Sequence, residues 1–247
     1  MLGMAKIERT LIMFVKNSFT SGGHCIYEDD DYVAIVTWKS ANAKTGNMAQ
    51  IWILNRHTSP LDSVASGIDA STNCKGCPFA SGNGCYVNVG QAPMAVYKSY
   101  HKGSYPFLAL GAYKVAFRNR YVRFGAYGNP SIIPLQKIRM VTDHCAGWTG
   151  YFHDWHEMHP SLATEYGKYF MASTETEDSR KAAEALGLRY FHVSPVRPNN
   201  TIECLSDTHG KECKDCGLCD GNNKNAKSVW INPHGAKKNK AIAMALA

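Results

Sequence analysis

Apolar positions along this chain fall into short runs of strand length, parted by polar stretches rich in glycine, asparagine and proline. Tyr32–Trp38 (YVAIVTW) and Ile51–Asn55 (IWILN) are β-branched and aromatic runs that predict two strands. The polar loop between them, KSANAKTGNMAQ, carries Asn42, Lys44, Thr45 and Gly46 at a spacing that is not that of a phosphate-binding loop. SPLDSVASGI is a short amphipathic segment, and QAPMAVYKSYHKGSYPFLALGAYK reads as one or two helices with aromatic anchors. A strand at Tyr121–Phe124 then runs straight into Gly125, Gly128, Asn129 and Pro130. An apolar strand followed at once by a glycine turn has the form of a βα loop, where α/β proteins place ligands.

The same alternation continues. PLQKIRMVTDHCAG reads as a helix, Trp148–Trp155 as a strand ending in His153 and Asp154, and EMHPSLATEYG as another helix. Lys168–Thr176 is strand-like, and EDSRKAAEALG is a helix with Glu177 and Asp178 in its first turn and Gly187 at the C-terminal cap position. LRYFHVSP adds a further strand. Strands alternating with helices predict βαβ units and an α/β fold with parallel strands, expected here as a single barrel-like domain over 1–247. Residues 1–31 are expected as an N-terminal extension, 74–85 as a cysteine loop and 204–234 as a late metal-binding segment.

Composition narrows the setting. A chain of 247 residues with 45% hydrophobic residues has enough material for a full core. No apolar run approaches the roughly 18 residues of a membrane span. The start, with its apolar LIMFV, is too short and is broken by Lys16, so it does not read as a signal peptide. The expectation is a cytoplasmic protein in which nine cysteines serve metal rather than disulfides. The net charge of +7 points to a polyanionic partner, DNA. Arg118, Arg120 and Arg123 precede the glycine turn and are candidates for phosphate contacts, as are Lys237, Lys238 and Lys240. Tyr127, Trp148 and Trp155 are candidates to stack on a base.

The sharpest chemical signal lies late in the chain. Cys213, Cys216 and Cys219 are spaced two residues apart, and Cys204 or His234 would complete a tetrahedron. Zinc suits such a set, and an iron–sulfur cluster uses the same spacing. Cys74, Cys77 and Cys85 form a second group, C-x2-C-x7-C, for a possible second metal with its last position open. Cys25 and Cys145 stand alone and read as buried thiols. The stretch around His153, His156 and His159, with His144 before it, is dense in histidine, and one or two of these rings are expected to serve packing.

NAKTGNMAQ, the two cysteine groups, VRFGAYGNPSIIP, WTGYFHDW and YFMASTET together resemble a family of small phage-encoded proteins. Parts are similar to the family named for mycobacteriophage gene product 88, over most of the chain from Asn42 onward. Two larger families share the design of a barrel with thiolate metal sites. Radical SAM enzymes carry a three-cysteine iron–sulfur loop after their first barrel strand and a Gly-Gly-Glu-Pro-like turn after the second. Cys74, Cys77, Cys85 and Gly128-Asn129-Pro130 are similar in order, though the spacing departs from C-x3-C-x2-C and Asn129 replaces an acid. That resemblance implies S-adenosylmethionine as a co-substrate.

Guanine transglycosylases, whose phage members place a 7-deazaguanine in DNA, carry a late zinc site that Cys213, Cys216, Cys219 and His234 resemble, with a wider first gap and a shorter step to histidine. Base exchange needs a carboxylate nucleophile and an acid/base partner. Asp154 and Asp143 are the candidates, with Glu175 a third, and Gly125, Gly128, Asn129 and Trp148 are expected to line the substrate site. The leading expectation is a zinc-containing DNA transglycosylase. An iron–sulfur radical enzyme is the alternative, and a non-catalytic, metal-stapled nucleic-acid-binding protein the third.

Overall fold

The computed structural model describes residues 19–246, apart from 222 and 224. The N-terminal LIMFV run therefore lies outside the described residues. Ten strands occur among them: β1 (Gly23–Glu28), β2 (Tyr32–Thr37), β3 (Ala49–Asn55), β4 (Tyr121–Tyr127), β5 (Gly147–Thr149), β6 (Tyr151–Phe152), β7 (Met171–Thr174), β8 (Tyr190–Val193), β9 (Thr201–Glu203) and β10 (Ser228–Ile231). They form two five-stranded sheets in the orders β1-β2-β3-β4-β5 and β6-β7-β8-β10-β9. The sheets meet at Gly150, which separates β5 from β6 along one extended run. Its N–H donates to the Cys219 carbonyl (3.0 Å), and its carbonyl accepts from the Met171 N–H (3.1 Å).

From β3 onward every pairing is parallel, whereas β1, β2 and β3 pair antiparallel. This mixed sheet corrects the barrel expectation. β1 and β9 are edge strands that do not pair with each other, so among the described residues no barrel closes. The short β1–β2 turn and the β2–β3 loop favour antiparallel neighbours, since a parallel step needs a crossover of a dozen or more residues. The expected extension is also corrected, because β1 falls within 1–31 and belongs to the sheet.

The helices are α1 (Pro60–Ser66), α2 (Ala92–His101), α3 (Tyr113–Phe117), α4 (Leu135–Thr142), α5 (Pro160–Tyr166), α6 (Glu177–Ala185), α7 (Leu205–Thr208), α8 (Cys213–Cys216) and α9 (Lys238–Ala245). α6 starts where the sequence predicts, because Thr176 and Ser179 form a reciprocal capping box. None of these helices is long and apolar enough to cross a membrane.

Side-chain alternation divides the sheet into two faces. On one, Val122, Phe124, Phe152, Ala172 and Tyr190 pack against Phe117, Ile138, Ala163 and Ala183, which come from α3 to α6. On the other, here called the inner face, Leu54 and Tyr127 meet Val96 of α2. Farther along that face, Met171, Phe191, Val193, Val229 and Ile231 meet Phe79, Cys219 and Ala241. Between these two apolar patches runs a polar row. Gln50, Arg123 and Thr149 are register neighbours across β3, β4 and β5.

Candidate active site

The first cysteine loop is held on the C-terminal edge of the parallel strands by the turn that follows β4. Gly128 has φ 84°, and a Cβ there would run into the Ile53 carbonyl oxygen, so only glycine fits. The next residue, Asn129, is fully buried. Its N–H donates to the Asn73 carbonyl at 2.6 Å, and its Nδ2 donates to the Lys75 carbonyl at 3.1 Å. Gly76 lies against the backbone of Asp154, where a Cβ would sit 2.6 Å from the Asp154 Cα. Within the loop, the Cys77 N–H donates to the Cys74 carbonyl (3.0 Å) and the Cys85 N–H to the Phe79 carbonyl (3.1 Å).

Burial raises the pKa of Cys74, Cys77 and Cys85. Neighbouring negative charge adds to this, from Cys85 on Cys74 and from Cys74, Glu175 and Cys85 on Cys77. The thiols are thus neutral near pH 7 unless a cation ionises them. Among the described residues, no three Cys, His, Asp or Glu side chains stand together as a ready-made ligand set.

A cleft of about 570 Å³ opens beside the loop, lined by Cys77, His153, Trp155, Ser173 and Glu175, with Glu157 and Asp178 also on its wall. Alternation along β7 explains part of this lining, since Met171, Ser173 and Glu175 point to the inner face. Glu175 is buried and accepts a hydrogen bond from the Ser173 hydroxyl at 2.7 Å. Burial pushes its carboxyl up to about 7. The His153 ring is pushed down to about 4, chiefly by burial and then by the positive charges of Arg123 and His156. Its Nδ1 is enclosed without a hydrogen-bond partner among the described residues. The cleft thus holds a carboxyl that exchanges its proton near neutrality beside a neutral imidazole.

The late cysteines lie elsewhere, with Cys204 and Cys219 packed in the inner-face cluster. The Cys204 N–H donates to the Trp230 carbonyl (2.8 Å) and the Cys213 N–H to the Lys44 carbonyl (2.8 Å). Cys213 and Cys219 both have raised pKa values chiefly through burial, Cys219 up to about 12, with smaller effects of Cys204 and Cys216 on Cys213 and of Cys204 and Cys213 on Cys219. His234 is occupied differently. Its Nε2 lies 2.6 Å from the Lys44 Nζ, its Nδ1 lies 3.0 Å from the Asn232 carbonyl, and its ring stacks on Tyr86. Both ring nitrogens are therefore engaged away from the thiols.

The structure does not bring Asp143 and Asp154 together. Asp143 is exposed and follows α4, ahead of β5, whereas Asp154 follows β6. The run 147–152 between them spans roughly 20 Å at strand rise. Asp154 is buried and accepts from the Ser131 hydroxyl at 2.7 Å, outside the cleft lining. Of the three candidate carboxylates, Glu175 is the one on the cleft wall. The three arginines also separate. Arg118 is exposed after α3, and Arg120 donates to the Ala116 (2.8 Å) and Phe19 (2.7 Å) carbonyls. Arg123 lies on the inner face over the Tyr151 ring.

Trp148 donates to the Tyr169 carbonyl at 2.7 Å and the Asp220 carbonyl at 3.0 Å, so its ring fastens β5 rather than awaiting a base. His156 lines the cleft, while His159 caps α5 by accepting from the Ser161 N–H. Sequence reasoning passed over Ser173 and Tyr151, although period-two alternation places both on the inner face. The chain matches no protein-family model, no curated protein and no solved structure.

Proposed function

We propose that this protein is a metal-dependent enzyme whose chemistry takes place in the cleft between the ends of β6 and β7. Cys74, Cys77 and Cys85 are its catalytic ligands, for an iron–sulfur cluster, and Cys204, Cys213, Cys216 and Cys219 hold a structural zinc ion. The observation that carries this reading is the fastening of a three-thiol loop by Asn129 at the C-terminal edge of β3 and β4, with Cys77 on the cleft wall. Three protein ligands leave a position open for a substrate, whereas four thiolates close a tetrahedron. β3 is the first strand of the parallel set and β4 the second. This is the order in which the loop and turn resemble those of radical SAM enzymes, a resemblance that implies S-adenosylmethionine as a second ligand.

When bound, such a cluster would supply single electrons. The chain's own residues do the rest: Asn129 fixes the loop, Glu175 gives or takes a proton, neutral His153 accepts a hydrogen bond, and Trp155 helps exclude water. The exposed acids Glu157 and Asp178 on the cleft wall suit a cationic or neutral ligand better than a phosphate backbone. The test is anaerobic reconstitution with ferrous iron and sulfide. A brown protein with visible charge-transfer absorption, lost in Cys77→Ala, supports the reading; a colourless protein that gains no iron overturns it.

Guanine exchange in DNA is the second reading, favoured by the buried carboxyl of Glu175 at a strand end inside the cleft. It moves the nucleophile from Asp154 to Glu175. Incorporation of a labelled 7-deazaguanine into duplex DNA without reductant or S-adenosylmethionine, abolished in Glu175→Gln, would establish it in place of the first.

A further inference from the structure

We propose that the cleft between the ends of β6 and β7 binds the ammonium group of a small organic amine, held by Glu175 with its hydrocarbon frame against Trp155 and Met244. This ligand class rests on the reading of the cleft as the reaction site, but on no metal.

The cleft, about 570 Å³, is of a size that encloses a small molecule. Its charge is one-sided. Glu157, Glu175 and Asp178 line it, and among the described residues no lysine or arginine does. His153 brings no positive charge near pH 7, because burial above all holds its ring neutral. Two cations stand outside the lining: Lys75, whose ammonium meets the exposed Glu157 at 3.2 Å, and Arg123, over the Tyr151 ring.

Acids at the rim attract cations without defining a site. Glu175 defines one. It is only 6% exposed, and its hydrogen bonding is half complete. One oxygen accepts from the Ser173 hydroxyl at 2.7 Å, while the other has no partner among the described residues. Nor does any cation among them stand within salt-bridge distance of this carboxyl. A carboxylate so enclosed needs a second donor or a proton. Burial pushes the group up to about 7, so near neutrality it is divided between its two forms. An ammonium entering from the cleft supplies donor and charge together, a stronger bond than a neutral donor gives.

The wall beside Glu175 is apolar. Trp155 is buried, and its Nε1 donates to the Ser173 carbonyl at 2.9 Å, so indole and carboxyl are fixed to the same residue of β7. Pro78, Ala182 of α6 and Met244 of α9 add to this lining. A carboxylate set among apolar groups fits an amine with a hydrocarbon frame. An anionic ligand would meet the charge of Glu175 and of both rim acids.

Isothermal titration of the full-length protein with phenethylammonium, 2-phenylethanol and phenylacetate compares one frame bearing a cation, a neutral donor and an anion. Wild type should favour the ammonium over the alcohol on the order of tenfold or more, and bind phenylacetate least. Glu175→Gln keeps the shape and removes the charge, so this preference should collapse while 2-phenylethanol binds as before. Asp178→Asn, at the exposed rim, should weaken the ammonium only roughly two- to threefold. Failure of the ammonium to bind, equal affinity for ammonium and alcohol, or a preference that survives Glu175→Gln overturns the proposal. The wild-type ranking decides the matter even where the variant does not fold. Repeating the titrations after anaerobic treatment with ferrous iron and sulfide separates the two failures. An ammonium preference in protein that gains no iron keeps the amine site and overturns the cluster, whereas iron uptake without that preference overturns the amine site alone.

Discussion

The Asn129 N–H meets the Asn73 carbonyl at 2.6 Å, joining the turn after β4 to the residue just before Cys74. Through this bond and its Nδ2 contact to Lys75, one buried side chain and its backbone decide where the first thiol loop sits. Asn129→Ala leaves the Lys75 carbonyl without this donor and opens space in a fully buried site. A loss of about 1–3 kcal/mol in unfolding free energy is expected by denaturant titration. Reconstituted metal should fall at the first loop while zinc at the late site stays. Equal loss at both sites would show that the turn holds the fold and not the loop.

Gly128→Ala should be worse than an ordinary surface substitution, because both its φ and the Ile53 carbonyl oppose a Cβ. A destabilisation of roughly 1–3 kcal/mol is expected, read as a lowered melting temperature. A variant that melts with wild type would mean that β3 and the turn part easily.

The carboxylates can be separated by substitution. Asp154→Asn keeps its shape and its place beside Ser131, outside the cleft. Turnover in any assay that detects the enzyme should stay within a few fold of wild type. Glu175→Gln removes the cleft's proton-exchanging group and should lower turnover by about 10²-fold or more. The reverse ranking would return the chemistry to Asp154.

Acid stability gives an independent check through His192, which is buried and hydrogen-bonded to Thr174. Burial holds its pKa at about 4, below the ordinary histidine value of about 6.5. The unfolded chain therefore takes up the proton first. The contribution is full above pH 6.5 and is lost as pH falls toward 4, at about 1.4 kcal/mol per pH unit at the steepest. His153 has the same sign, while Glu175, raised to about 7, opposes it between 4.5 and 7. Comparing wild type with His192→Asn isolates one proton. The difference in unfolding free energy between them should shrink as pH falls through this window, and a difference independent of pH would contradict a neutral His192 in the fold.

Much of the architecture follows from local pattern. The β-branched runs at 32–38 and 51–55 and the first-turn acids and terminal glycine of α6 are signals carried by neighbouring residues, and those elements form where the signals put them, whereas β4, expected to turn at Gly125, runs on to Tyr127. Chain order alone also places Asp143 before its strand and Asp154 after it, so their separation was already readable. Tertiary structure decided whatever depends on residues distant in sequence. GHCIYE becomes edge strand β1 only because β2 is there to pair with it, and closure of the sheet depends on where β1 and β9 end up. The bulge in the β3–β4 register, which spans Gly125 at φ 66°, and the break at Gly150 set which side chains share the inner face, and which partner each meets depends on strand pairing.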